Sequence, residues 1–157
     1  MLEMFTEARG VAVVGASTSP DKLGYQVLHN IIRYGYEGGI YPVNPTAPEI
    51  LGLKAYPSVL DCPDPVDLAT ILIPAAAVPE TLRQCGEKGI RRIVLQTAGF
   101  RELGDDRRAL EQEIAAIVKH FDMRMIGPNC IGVVNRHNGL AVPFMPLKAE
   151  APPGRIA

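Results

Sequence analysis

Short, nearly continuous apolar runs recur along the chain, and each ends in glycine, proline, asparagine or another small residue. Gly10–Val14 ends in Gly15, Gly39–Val43 in Asn44-Pro45, and residues 68–73 in Pro74. Residues 92–96 end in Thr97-Ala98-Gly99, and Arg124–Ile126 in Gly127-Pro128-Asn129. Runs of this length that lack polar alternation are the pattern of strands buried on both faces of a parallel sheet. Between them the apolar period changes to that of a helix. Residues 23–35 place Val27, Leu28, Ile31 and Ile32 on one stripe, with Gly35 suited to the position just past the helix end. Residues 78–89 carry Pro79 in the first turn and end on Gly89. Residues 105–121 open with Asp105-Asp106, align Leu110, Ile114, Ile117 and Val118, and close with Lys119-His120. That charge order suits the helix dipole. A short helical turn is expected over 58–61.

The alternation β-α-β-α-β-α-β-α-β predicts an α/β fold, a Rossmann-like, doubly wound, mainly parallel five-stranded sheet with helices on both faces. Residues 1–135 are expected to form this domain. Residues 136–157 read as an extended connector, since 136–154 contain four prolines and no clear period. The closing Gly154-Arg155-Ile156-Ala157 reads as the start of a further domain's first strand, which predicts a chain that continues beyond this one.

Composition narrows the functional classes. The 157 residues are 47% hydrophobic and 21% charged, which suits one globular domain with its own core. A formal charge of −1 gives no electrostatic footprint for nucleic acid, and the absence of Trp with only 6% aromatics argues against a stacking platform for single strands. No stretch approaches the roughly 18 apolar residues of a membrane span. The N-terminus carries Glu3, Glu7 and Arg9 and no signal-like apolar run, so a cytoplasmic protein is expected. Cys62, Cys85 and Cys130 are odd in number and widely spaced, without metal-ligand or disulfide patterning, so no metal is expected.

The candidate chemistry lies at the ends of the strands. In an open parallel sheet, ligands bind beyond the carboxyl ends, near the point where strand order reverses. All five such ends here are built from small or turn-forming residues, and the first leads into a helix N-terminus that favours phosphate. The dinucleotide fingerprint wants G-x-G-x-x-G after the first strand and an acidic residue after the second. This chain has Gly15-Ala16-Ser17-Thr18-Ser19-Pro20, with Ser17 and Pro20 in place of the second and third glycines, and Asn44 where the carboxylate belongs. NAD is disfavoured, while a ligand bearing phosphates and adenine stays open. Asn44 is suited to donate to a phosphate or ribose oxygen.

Gly15-Ala16-Ser17, Tyr41-Pro42-Val43-Asn44-Pro45 and Thr97-Ala98-Gly99-Phe100-Arg101-Glu102 resemble the N-terminal CoA-binding domain of NDP-forming (ADP-forming) acyl-CoA synthetases. That family is related to the succinyl-CoA synthetase α-subunit. The segment Ile126-Gly127-Pro128-Asn129-Cys130-Ile131-Gly132-Val133-Val134-Asn135 is the most specific part of the match, and Pro153-Gly154-Arg155-Ile156-Ala157 extends it. The resemblance implies a domain that holds coenzyme A across the strand ends. Gly15, Ala16, Ser17 and Thr18 would then lie by the phosphates and the start of pantetheine. Val43, Asn44 and Pro45 would border adenine and ribose, and Ile73, Pro74 and Ala75 would line a wall. Thr97, Ala98 and Gly99 would face the thiol end, with Asn129 and Cys130 beside the reaction centre. The family often has Lys directly after V-N-P. Here that position is Thr46, with Lys22 or Lys54 as candidate substitutes.

The resemblance also implies that catalysis runs through acyl-phosphate and a phosphohistidine carried by a later domain. His29, His120 and His137 each suit a structural role better, and Cys130 lacks a base at a recognisable spacing, so this chain is expected to bind CoA without catalysing alone. Its partners would be the remaining domains or subunits of the parent synthetase. Two alternatives stand beside this reading: a stand-alone CoA-binding or CoA-sensing protein, and, more remotely, an NAD(H)-binding Rossmann domain.

Overall fold

We describe the protein from a computed structural model covering residues 3–100, 104 and 107–147. In chain order, α1 (Glu3–Thr6) precedes β1 (Gly10–Val14) and α2 (Leu23–Arg33). Next, β2 (Gly39–Val43) is followed by a hairpin of β3 (Glu49–Ile50) and β4 (Leu53–Lys54). A 3₁₀ turn at Val59–Asp61 leads to β5 (Leu68–Ile71), α3 (Val78–Lys88), β6 (Arg92–Leu95) and α4 (Arg108–His120). The described chain closes with β7 (Arg124–Ile126) and a second hairpin of β8 (Val134–Asn135) and β9 (Leu140–Ala141).

Five strands pair in parallel in the order β2-β1-β5-β6-β7, the Rossmann-like sheet that the apolar runs predict. The chain moves outward from β1 to β2, then jumps back across β1 to β5. Because parallel crossovers are right-handed, that reversal puts α2 on one face of the sheet and α3 and α4 on the other. Strand side chains alternate accordingly. Ala12, Val14, Ala69, Ile71, Ile93 and Leu95 pack with Leu82, Cys85, Ile114 and Ile117 of α3 and α4. Val11, Val13, Leu68 and Val94 pack with Val27, Leu28 and Ile31 of α2. The central strands are buried on both faces as expected, but β2 and β7 are only partly so because they form the two margins. Ile32, expected in the α2 stripe, is exposed. Asp105 and Asp106, the expected opening of α4, lie outside the described residues, as do 154–157.

All three long helices stop in the same way. After α2, Gly35 N donates to Ile32 O and Tyr36 N to Ile31 O; after α3, Ile90 N reaches Cys85 O. After α4, Asp122 N donates to Lys119 O and Met123 N to Val118 O. Each is a Schellman ending, with Gly35, Gly89 or Asp122 in the left-handed conformation. The residue that follows, Tyr36, Ile90 or Met123, is buried and steers the chain into the core.

The second sheet face has a single long helix, α2, and the remainder is closed by chain that shows no local period. Leu140, Ala141 and Val142 are fully buried, Leu140 and Val142 in the same cluster as Leu68 and Val94. The carboxamide of Asn30, on α2, donates to Pro143 O and Met145 O, both at 2.8 Å. Thus residues 140–145, expected as part of an extended connector, pack against the sheet. Their contacts are with residues far away in sequence, which a local pattern does not report.

One margin and one end of the sheet are tied down. Beyond β2, Tyr56 N donates to Pro42 O and Asn44 N to Tyr56 O, so the outer side of that strand is already paired. At the amino ends of β1 and β5, Arg9 Nε and its terminal nitrogen form a two-pronged pair with Asp67 at 3.0 and 2.9 Å, and Arg9 N adds a third bond at 2.9 Å. The hydrogen-bonded Arg9 guanidinium holds the Asp67 carboxyl below its ordinary range. A depressed folded-state value stabilises at neutral pH, and that contribution is lost as pH falls through it. Asp67→Asn is therefore expected to destabilise the protein at pH 7, with the gap to the wild type narrowing in acid. Denaturant titrations across pH check this, and a gap that stays constant would refute it.

The β3–β4 hairpin turns on Leu51 and Gly52, with φ of 52° and 78°. Two positive φ angles mark a type I′ turn, which favours Asn-Gly, and a leucine held there is strained. Leu51 is also an exposed apolar side chain. Leu51→Asn is expected to stabilise the protein by about 1 kcal/mol, read as a higher urea midpoint at unchanged slope.

Candidate functional site

The reversal of strand order between β1 and β5 opens a crevice at the carboxyl ends of the strands, and a cleft of about 620 Å³ lies there. Its first wall is the turn from β1 into α2. Gly15 has φ 89°, and a Cβ on it would lie 2.1 Å from Leu72 O of the neighbouring strand end. Gly24, in the first turn of α2, comes so near that a Cβ would lie 1.9 Å from Gly15 O. The close helix–strand approach that a third fingerprint glycine ordinarily permits is supplied here by Gly24. Ser17 Oγ accepts from Ser19 N at 3.1 Å and holds the turn.

Asn44 ties this turn to the end of β2. Its Nδ2 donates to Ala16 O at 2.8 Å, while Oδ1 accepts from Thr46 N and Ala47 N, both at 2.9 Å, and from the Thr46 hydroxyl at 3.1 Å. The expected role as a donor to a phosphate or ribose is thus taken up largely by the protein's own backbone: Asn44 shapes the wall. Thr97 does the same across the cleft, where its hydroxyl donates to Ile73 O at 3.0 Å and accepts from Ile73 N at 3.2 Å. Asn129, at φ 53°, is fastened through its backbone N–H to Thr97 O.

Ten of the sixteen residues singled out from the sequence line this cleft: Gly15, Ala16, Ser17 and Lys22 on the first wall, Asn44 beside them, and Ile73, Pro74, Thr97, Ala98 and Asn129 opposite. Thr18, Val43, Pro45, Ala75, Gly99 and Cys130 are not among the lining residues. Val43 is buried in the core. The Cys130 thiol donates to backbone carbonyls, Leu95 O at 3.4 Å and Ile126 O at 3.7 Å, and burial raises it above its ordinary range. Burial likewise pushes Cys62 up to about 11. Neither is poised as a thiolate. Lys54 sits over the Tyr56 ring instead of the cleft. His29, stacked on Tyr25, the exposed His120 against Phe121, and His137 in the second hairpin also stand apart from the cleft lining. Arg101 and Glu102 lie outside the described residues.

Among the described lining residues Lys22 is the one charged group, and there is no carboxylate. With the N-terminus of α2 adjoining it, this end of the cleft suits an anion. The far wall is apolar or neutral. Among the described residues, no group of three or more His, Cys, Asp or Glu is placed to hold a metal, and no helix is long and apolar enough to cross a membrane.

A family model described as the CoA binding domain matches residues 9–136. The chain belongs to this CoA-binding family. It is 47% identical over 146 residues to the α subunit of an ADP-forming acetate–CoA ligase II from Pyrococcus furiosus, covering 92% of this chain and 32% of that protein. Among solved structures, PH0766 from Pyrococcus horikoshii matches at 46% identity and a TM-score of 0.88, over 94% of this chain and 34% of that one. A dinucleotide-forming acetyl-coenzyme A synthetase from Candidatus Korarchaeum cryptofilum, solved with phosphate and ADP, matches at 41% and 0.86, over 92% and 31%. The chain thus spans about a third of these relatives' length.

Within this family member, five cleft residues escaped the reading of the sequence: Leu23, Gly24, Leu72, Gln96 and Phe144. Gly24 had a usable signal, a glycine in the first turn of a helix, where propensity disfavours it. Leu72 and Gln96 fell inside the apolar runs and read as strand. Phe144 comes from the aperiodic segment.

Because Asn44 fastens two walls at once, Asn44→Ala leaves Ala16 O and two backbone N–H groups without their partner. The expected cost is about 1–3 kcal/mol of folding stability, independent of any ligand. Urea unfolding of the ligand-free variant measures it, and a loss below about 0.5 kcal/mol would show that these bonds do not hold the walls.

Proposed function

We propose that this chain is the CoA-binding portion of an ADP-forming acyl-CoA synthetase, holding coenzyme A in the cleft between β1 and β5. The observation that carries the reading is the charge layout of a cleft in a CoA-binding family member: among the described lining residues, one lysine beside a helix N-terminus at one end, no carboxylate, and a neutral far wall. CoA has the matching layout, with phosphates at one end and a neutral pantetheine arm leading to the thiol. Gly15, Ala16, Ser17 and Lys22 take the phosphates. Asn44 keeps the adenine side in shape, and Ile73, Pro74, Thr97 and Ala98 flank the arm.

The rest of a synthetase, as fused domains or separate subunits, supplies the acyl substrate site, the nucleotide site and the phosphohistidine. The relatives' ADP-forming ligase names and the share of their length matched here support that division. A cytoplasmic location goes with it. The NAD(H) alternative is weakened further by Asn44, which occupies the carboxylate's position and is committed to backbone bonds.

Titration calorimetry with CoA tests the reading, with NADH as the competing ligand: CoA is expected to bind and NADH not to. Ser17→Glu sets a carboxylate against the phosphates. At about 4 Å and an effective dielectric near 20 the repulsion is about 4 kcal/mol, so CoA affinity is expected to fall at least about tenfold, with the far-ultraviolet circular dichroism of the folded chain little changed. Unaltered affinity in that variant would place the ligand elsewhere.

A further inference from the structure

Leu23 is a large apolar side chain left 52% exposed in the lining of the cleft, at the first position of α2. Isolated exposed leucines are ordinary on a protein surface, so its placement has to carry the argument. A Cβ on Gly24, the next residue, would lie 1.9 Å from Gly15 O, and one on Gly15 would lie 2.1 Å from Leu72 O. The start of α2 is thus set directly against the ends of β1 and β5.

The direction of the side chain follows from helical spacing. Val27, Leu28 and Ile31 turn toward the sheet. Leu23 lies on the flank of that face which it shares with Asn30, about two turns later. The Asn30 carboxamide grips Pro143 O and Met145 O, on either side of Phe144. That flank therefore looks toward the segment carrying Phe144, which lines the cleft together with Leu23 and Leu72. Leu72 and Phe144 pack partly against the core, whereas Leu23 keeps about half of its surface open.

Its neighbour decides what chemistry it meets. Lys22, directly before it, is the one charged group among the described lining residues, at the end that suits an anion. Consecutive residues are about 3.8 Å apart, so a ligand with phosphate at Lys22 sets the next part of its chain beside Leu23. In coenzyme A that next part is distinctive. One methylene beyond the pyrophosphate stands a quaternary carbon with a geminal pair of methyl groups, the only branched alkyl group in the molecule. Nucleotides that end in phosphate, or continue into a second ribose, have nothing apolar at that place.

We propose that Leu23 is a specificity-determining residue, covering the geminal dimethyl group of the ligand's pantoyl unit when the pyrophosphate is held at Lys22. This rests on the CoA reading above and extends it to one side chain. The contact removes apolar surface from water on both partners, and adenine nucleotides without the arm cannot make it. Position 23 thereby sorts ligands that the phosphate end alone treats alike.

The test uses the 157-residue chain, with CoA and adenosine 3′,5′-bisphosphate, which lacks the arm, as probes. In the CoA complex of the wild type, nuclear Overhauser contacts are expected between the geminal methyl protons and the Leu23 methyls, assigned by their loss in Leu23→Ala. In calorimetry, Leu23→Ala is expected to lower CoA affinity about fivefold, the worth of a modest apolar area returned to water. Bisphosphate affinity is expected to stay within about twofold. Leu23→Met, of similar volume, is expected to keep most of the CoA affinity. CoA binding without the methyl contacts overturns the proposal and leaves the CoA reading standing. Undiminished CoA affinity in Leu23→Ala overturns it too, as does an equal loss for both ligands, which assigns Leu23 to the phosphate end or to the fold. No CoA binding by the wild type removes both readings together. Should Leu23→Ala fail to fold, or the bisphosphate bind too weakly to measure, Leu23→Met supplies the assignment and the wild-type methyl contacts decide.

Discussion

A parallel sheet has to be covered on both faces, and this chain meets that demand unevenly. The face served by α3 and α4 is closed by two helices that pack on each other and on the strands. The opposite face has α2, and the space over β5 and β6 is shared by Phe5 of the short α1 with Leu140 and Val142. An irregular segment in such a place carries backbone carbonyls into the interior, where they need donors. Two carboxamides supply them: Asn30 for Pro143 and Met145, and Gln96 for Val142. The architecture of the cleft follows, because Phe144 is brought to its wall by the same segment and Gln96 is fixed in orientation by the same bond.

The site is correspondingly a backbone construction. Glycine at 15 and 24 lets α2 and the ends of β1 and β5 approach within contact, and Asn44 and Thr97 then lock neighbouring loops by bonding to main-chain atoms. Among the described lining residues little side-chain functionality is present, and the one charge is Lys22. Such a cleft is suited to holding a long flexible molecule by shape, dipoles and a few polar contacts. Among the described residues that line it there is no constellation of acid, base and nucleophile.

The regular parts of this fold were legible because they are local. Apolar runs located the five parallel strands, and stripes such as Leu110–Ile114–Ile117 located the helices and their buried faces. The Schellman endings were foreshadowed at Gly35 and Gly89, but Asp122 takes the same left-handed position with no glycine to announce it. What the sequence did not reveal depends on distance along the chain. The bond from Gln96 to Val142 spans 46 residues, and that from Asn30 to Pro143 spans 113. Neither leaves a periodic trace, so residues 140–145 read as connector. For the same reason the position of Asn44 at a strand end could be read from the sequence while its partners could not. A residue's position in a strand-end loop is a local fact, whereas the carbonyl that claims its amide lies 28 residues earlier.

The two margins of the sheet are unlike each other. β2 contains Pro42 and shares outer hydrogen-bonding groups at its carboxyl end with Tyr56, whereas β7 is three residues long and, among the described residues, has no further strand beyond it. Unpaired strand margins invite pairing with other chains, and proline and short length are two ways of blunting them. The sheet therefore has a polarity from side to side. An added strand is hindered at the carboxyl end of β2, and among the described residues β7 is the margin left open to one.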